Sequence, residues 1–186
     1  AIEKYLTERG HQARMIDVYK YISKVLGGSV EKGYLASTKY APNVYGKFYR
    51  IVEKSYSYDK FHMLKAASSV MRIKFEKYVK ALKPDVIIST HVFAAQLADV
   101  LSEEVLENIK TIGIITDYTI HPFWDETRLD YYITASELLD FQAIKKKIPL
   151  EKIKSFGIPI DEKFAEKIPK EEARKMLGLE NKPTVL

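Results

Sequence analysis

Three clusters in this sequence carry side chains suited to catalysis. The first is Ser89-Thr90-His91. The second is Thr116-Asp117-Tyr118, followed by His121-Pro122-Phe123-Trp124. The third is the Gly157-Ile158-Pro159 turn. A carboxylate and imidazoles at such positions can hold or move a proton and stabilise a developing charge. An indole offers a flat apolar wall, and a glycine lets a ligand approach the backbone. Two of the four histidines, the single tryptophan and an aspartate fall in the first two clusters. Each also has a plain reading. Asp117 can cap its own turn, His91 can be a satisfied loop histidine, and Trp124 beside Pro122 and Phe123 can be packing. His91, Asp117 and His121 do not have the spacing of a known ligand pair such as His-x-x-x-His, so no metal site is expected. There is no cysteine, which excludes disulfides and thiolate sites. There is no Gly-x-Gly-x-x-Gly and no Walker loop, so the usual signature of a dinucleotide or nucleoside triphosphate site is missing.

The clusters gain weight from what precedes them. Asp85–Ser89 is a compact apolar run, the mark of a buried parallel strand. Thr111–Thr116, Tyr131–Thr134 and Lys152–Phe156 read as further strands. Between them lie helical periods at Phe93–Leu106 and at Glu137–Lys147, the latter with Ser136 as N-cap. Phe61–Leu82 is a long helix candidate with an apolar stripe through Leu64, Val70, Phe75, Val79 and Leu82. Strand and helix alternating at this spacing predict an α/β fold, a Rossmann-like, doubly wound parallel sheet. In such sheets ligands bind beyond the carboxyl ends of the strands, which is where all three clusters would lie.

Upstream, Ala1–Arg9 reads as a helix stopped by Gly10, and Gln12–Val18 as a short strand; the strand that should precede them is expected to be missing. Tyr19–Ser57 is less regular, with a short helix over Tyr45–Tyr56. Beyond Pro159, Asp161–Pro169 is polar and linker-like. Pro169–Leu177 is a helix with acids in its first turn and Gly178 at its stop. Pro183–Leu186 looks like the start of another strand. The expected division is a domain over 1–160, a linker and helix over 161–182, and the beginning of a second, truncated domain over 183–186.

With 186 residues, 46% hydrophobic and 30% charged, the composition is that of a globular protein. The charge is uneven. Residues 1–83 hold 17 Lys and Arg against 7 Asp and Glu, whereas residues 84–186 hold 13 against 18. Eight of the thirteen tyrosines lie between Tyr19 and Tyr58. A basic, tyrosine-rich stretch is a solvated surface by default. It also suits phosphates and stacked bases, or an anionic membrane with tyrosines at the interface. No apolar run reaches the ~20 residues that cross a bilayer, and no signal peptide is evident.

Taken together, the motifs resemble a known family. Lys83-Pro84-Asp85-Val86-Ile87-Ile88-Ser89-Thr90-His91 is similar to the P-D-x-I-I-x-T-H strand of the monogalactosyldiacylglycerol synthase family, which includes the bacterial processive diacylglycerol glucosyltransferases. Thr116-Asp117-Tyr118-Thr119-Ile120-His121-Pro122-Phe123-Trp124 looks like its T-D-x-x-x-H-x-x-W segment. Asp130-Tyr131-Tyr132 and Gly157-Ile158-Pro159-Ile160 fit its D-x-Y and G-I-P-V elements. The resemblance implies the amino-terminal, acceptor-side half of a two-domain GT-B glycosyltransferase. It implies an inverting, metal-independent transfer of glucose or galactose from a UDP-sugar to the 3-hydroxyl of diacylglycerol, with no cofactor. The implied setting is peripheral, on the cytoplasmic face of the cell membrane, with an anionic membrane surface rather than nucleic acid as the partner of the basic stretch. It makes Asp117 and His121 the catalytic candidates. His91, Tyr118, Phe123, Trp124, Gly157, Ile158 and Pro159 are the substrate-binding ones. Asp117 would orient a histidine base or hold the acceptor hydroxyl, and His91 and His121 would bind acceptor or diphosphate oxygens. The family's Gly-x-Gly-His loop, which carries its presumed base, and the UDP-binding half are expected to lie outside this chain, so the chain alone should not turn over. The competing readings are another GT-B enzyme, such as a peptidoglycan glucosaminyl transferase or a UDP-sugar epimerase, or a non-catalytic basic module.

Overall fold

The computed structural model describes residues 1–22 and 72–183. It comprises two compact units, Ile16–Ile158 and the pair of segments Ala1–Met15 and Pro159–Leu186. The larger unit is built on four strands: β1 (Val86–Ser89), β2 (Lys110–Ile114), β3 (Tyr131–Ile133) and β4 (Ile153–Lys154). They form one sheet in the order β1-β2-β3-β4, and every pairing is parallel. This is the predicted α/β architecture, with all four carboxyl ends on one edge. Among the described residues the strand order runs in sequence, with no reversal.

Paired residues in a parallel sheet share a face. Ser89, Gly113 and Tyr132 lie in register on one side, joined there by Thr111 and Ile153. This side carries the core. Tyr132 and Ile153 pack with Ile115, Ile120, Trp124, Leu129, Leu139, Ala143 and Ile148. A second cluster joins Phe75 and Val79 to Leu97, Leu101 and Val105. Phe75 and Val79 belong to a helix over residues 72–82, the described part of the predicted Phe61–Leu82 helix. Its residues 61–71, the predicted Tyr45–Tyr56 helix and most of the basic stretch lie outside the described residues. On the opposite sheet face Val86 is 44% exposed and Ile88 36%, so the full burial expected for Asp85–Ser89 does not hold. β1 is the edge strand of the described sheet, and only its Ser89 is buried.

The other departures are local. The predicted Phe93–Leu106 helix is two helices, Val92–Asp99 and Glu103–Leu106. The chain extends at Ser102, and the Ser102 hydroxyl donates to Glu76 at 3.1 Å. The predicted Gln12–Val18 strand does not form. The Met15 N–H donates to the Glu3 carboxylate at 2.7 Å instead of to a neighbouring strand. Asp17 accepts from the Lys20 N–H at 3.1 Å and opens a short helix at Val18–Ile22. A capping carboxylate outweighs the weak alternation of Ala13, Met15 and Ile16. Ser136 is an N-cap, but of a 3-10 turn over Glu137–Leu139, where its hydroxyl accepts from the Leu138 N–H; the helix Asp140–Lys145 that follows starts at Leu139 without a side-chain cap.

In the smaller unit the helices Ile2–Glu8 and Lys170–Met176 both close on the predicted glycines. Gly10 and Gly178 donate to Thr7 and Lys175, and the next residues, His11 and Leu179, donate to Leu6 and Arg174. Those paired bonds are a Schellman motif, in which the glycine takes the left-handed backbone. Asp161 adds a 3-10 turn over Glu162–Phe164 to the stretch predicted as linker. Residues 184–186, where the next strand was expected to begin, lie outside the described residues.

Candidate active site at the carboxyl edge of the sheet

Beyond β1 the chain stays extended at His91, which is the N-cap of the Val92–Asp99 helix. Its Nδ1 accepts from the Phe93 N–H at 3.3 Å. Beyond β2, Ile115 is still buried and donates to the Ile133 carbonyl at 2.9 Å. Residues 116–119 then turn out into solvent, which leaves Asp117 exposed and Tyr118 76% exposed. Ile120 re-enters the core, and its N–H donates to the Gln142 side chain at 3.1 Å. That anchor fixes the start of the 3-10 turn Pro122–Glu126, for which His121 is the N-cap. Here too Nδ1 accepts from a backbone N–H two residues on, that of Phe123, at 3.2 Å.

The two histidines are linked through their phenylalanines. Ring centroids lie 5.3 Å apart for His91 and Phe93, 6.0 Å for Phe93 and Phe123, and 4.6 Å for Phe123 and His121. The Gln96 amide donates to the Phe123 carbonyl at 3.4 Å and ties the Val92–Asp99 helix to the same segment. Phe93, Gln96 and Gln142 belong to this site although their sequence context marks them as ordinary helix residues. The only available signal was the repetition of His-x-Phe at His91-Val92-Phe93 and His121-Pro122-Phe123.

His91 titrates below the usual histidine range because loss of water disfavours its cation, and the charge of Asp117 opposes that shift. The residue as a whole is exposed, but its ring lies against Phe93, and the ring is what loses water. The unfolded chain therefore takes up this proton first. The contribution to stability is intact above about pH 6.5 and is lost as the pH falls from there through the folded-state value. Denaturant midpoints measured from pH 7.5 to 5 should fall for the native chain. They should fall less steeply for His91→Asn, whose amide oxygen can keep the cap.

Trp124 is 4% exposed and belongs to the core. Its ring lies against β2, where a Cβ built on Gly113 would meet Trp124 at 2.7 Å and Leu129 at 2.9 Å. An indole so placed has no face open to a ligand, which corrects its expected role as a substrate wall. Gly157 follows β4 with φ +92°, and its N–H donates to the Thr134 carbonyl at 3.0 Å. Nothing lies within 4 Å of a Cβ placed there, so backbone conformation is what calls for glycine at this turn. Ile158 is part-buried in the larger unit, whereas Pro159 belongs to the smaller one. Under the turn, the Thr134 and Ser155 hydroxyls pair at 2.9 Å, and Ser155 donates to Asp140 at 3.1 Å. Among the described residues no group of three His, Cys, Asp or Glu could hold a metal ion. No described helix is long and apolar enough to cross a membrane.

His91, Asp117, His121 and Phe123 thus lie beyond the carboxyl ends of two adjacent parallel strands. A family model described as monogalactosyldiacylglycerol (MGDG) synthase matches residues 1–160. The chain belongs to the MGDG synthase family. Similar proteins include the processive diacylglycerol beta-glucosyltransferase of Staphylococcus epidermidis, 30% identical over 172 residues, which are 91% of this chain and 42% of the relative. The same enzyme of Staphylococcus saprophyticus is also 30% identical, again over 91% of this chain and 42% of the relative. That of Bacillus pumilus is 25% identical over 171 residues, 91% of this chain and 43% of the relative. The chain therefore spans about two fifths of the length of these relatives. No solved structure gives a significant match. Within the MGDG synthase match fall all the predicted site residues, His91, Asp117, Tyr118, His121, Phe123, Trp124, Gly157, Ile158 and Pro159.

Proposed function

We propose that this chain is the acceptor side of a hexosyltransferase that moves glucose or galactose from a UDP-sugar to diacylglycerol with inversion. The observation that carries the reading is the family match over 1–160, within which Asp117 and two histidines stand at the carboxyl edge of a parallel sheet. In direct displacement the acceptor oxygen bonds to the anomeric carbon, the bond to the diphosphate breaks so that UDP departs, and the hydroxyl proton passes to the histidine base of the family's Gly-x-Gly-His loop. Asp117, exposed beside His91, holds and orients that hydroxyl. Tyr118 and Phe123 flank the acceptor, and the turn at Gly157, Ile158 and Pro159 faces the donor. Trp124 serves as the packed base of the His121 segment. The UDP-sugar binds mainly to residues beyond this chain. The excess of Lys and Arg in residues 1–83 supports docking on an anionic membrane.

The test uses an enzyme of the relatives' full length that carries this segment. It should transfer hexose from UDP-glucose or UDP-galactose to diacylglycerol in vesicles. Asp117→Ala should lower turnover about a hundredfold and leave the unfolding midpoint unchanged. Near-normal turnover in that variant removes Asp117 from the chemistry, and absence of any hexose transfer by the unmodified enzyme overturns the reading.

A further inference from the structure

The same three-residue unit, His-x-Phe, occurs beyond β1 and beyond β2 with the same backbone cap each time. In both copies the histidine is an N-cap whose Nδ1 accepts from the phenylalanine N–H two residues on, at 3.3 Å for His91 and 3.2 Å for His121. In both copies the imidazole lies beside that phenylalanine, with ring centroids 5.3 and 4.6 Å apart. The two copies meet through Phe93 and Phe123. An Nδ1 that accepts a hydrogen bond carries no proton, so in the neutral ring the proton sits on Nε2. Adding a second proton would put an N–H on Nδ1, facing the backbone N–H it now accepts. The cap would have to break first.

We propose that the duplicated His-x-Phe unit is a single device: Phe93 and Phe123 are positioning residues that hold His91 and His121 as neutral imidazoles with Nε2–H. Through those groups the histidines donate hydrogen bonds to substrate oxygens. Neither ring is then the proton acceptor of the reaction, because the nitrogen turned away from the cap already carries its proton. The downward shift of His91 agrees with a neutral ring. A donor held in place before charge develops stabilises an oxygen as it becomes negative, without reorganisation at the moment of reaction. The oxygen can be that of the acceptor hydroxyl or of the leaving diphosphate, since both are hydrogen-bond acceptors.

The donor role rests on the transfer reading above, whereas the tautomer does not, and the two are tested separately. Long-range 1H–15N correlation spectra of the labelled chain at pH 7 should show the Nε2–H pattern for both rings. An Nδ1–H pattern or a doubly protonated ring at either position overturns the lock. The second test substitutes His121 in the full-length enzyme. The amide of His121→Gln places an N–H close to the native Nε2–H. His121→Asn keeps an oxygen where Nδ1 accepts but lacks the distal donor. His121→Gln should keep hexose transfer within about tenfold of the unmodified enzyme, and His121→Asn should fall well below it, with both variants folded by circular dichroism. Equal losses in the two variants, or the reverse order, overturn the donor role. UDP inhibition and diacylglycerol KM then separate the two oxygens: a change in UDP affinity assigns the diphosphate, and a change in KM alone assigns the acceptor hydroxyl.

Discussion

Trp124→Ala should lower the stability of the larger unit by about 3–5 kcal/mol, the usual range for removing a buried aromatic ring. The indole is 4% exposed, lies against the β2 backbone at Gly113 and meets the Tyr132 ring edge-on at 6.3 Å. The space it fills is bounded by Leu129 and the strand itself, and a strand held by ladders on both sides cannot move in to fill a cavity. The loss should appear as a fall in melting temperature on the order of 10 °C, and as weaker cooperativity if the His121 segment detaches first. The two roles of Trp124 separate cleanly here. A ligand wall would leave the melting curve almost unchanged and weaken acceptor binding alone. A core residue lowers both together, because Pro122 to Glu126 is the turn that carries His121.

This residue also marks the boundary of what the sequence reveals. Val86–Ser89 and Lys110–Ile114 are legible as strands because β-branched runs between turn residues have few alternatives at that length. The placement of His91 and Asp117 follows, since residues after parallel strands must emerge at one edge. Whether an aromatic residue in such a segment faces in or out is decided by a partner elsewhere. For Trp124 that partner is Gly113, the one position in β2 without a side chain to hold the indole away. Nothing in the spacing of Pro122, Phe123 and Trp124 encodes it. The role of Phe93 is hidden in the sequence for a related reason. As a residue it reads as helix core, and what matters here is its backbone N–H, whose acceptor is fixed by the path of the chain at His91. Gln12–Val18 fails in the opposite direction. Its alternation is real, but a strand needs a neighbouring ladder. Instead, its Met15 N–H donates to Glu3, and its own Asp17 accepts from the Lys20 N–H at the start of the next helix.

Tyr132→Phe removes a single oxygen and should still cost about 2–4 kcal/mol, because that oxygen satisfies buried groups that have no water to turn to. The Tyr132 hydroxyl donates to the Thr127 carbonyl at 2.6 Å and accepts from the Leu129 N–H at 3.1 Å. It also lies 2.9 Å from the Thr127 hydroxyl, which in turn contacts the Trp124 carbonyl at 2.8 Å. The side chain is 1% exposed, so β3 clasps the end of the 3-10 turn from inside the core. Burial raises the phenol's pKa, and the hydrogen bonds from Thr127 and Leu129 only partly offset that. Above its normal range near pH 10 the unfolded chain loses this proton while the folded chain keeps it. Stability should therefore be intact below about pH 10 and fall as the pH rises towards the folded-state value. Tyr132→Phe should be less stable at neutral pH yet show a shallower alkaline decline, so the two unfolding curves converge as pH rises. Parallel curves would mean that the hydroxyl is already in contact with water, and that the His121 segment is held by the Trp124 ring alone.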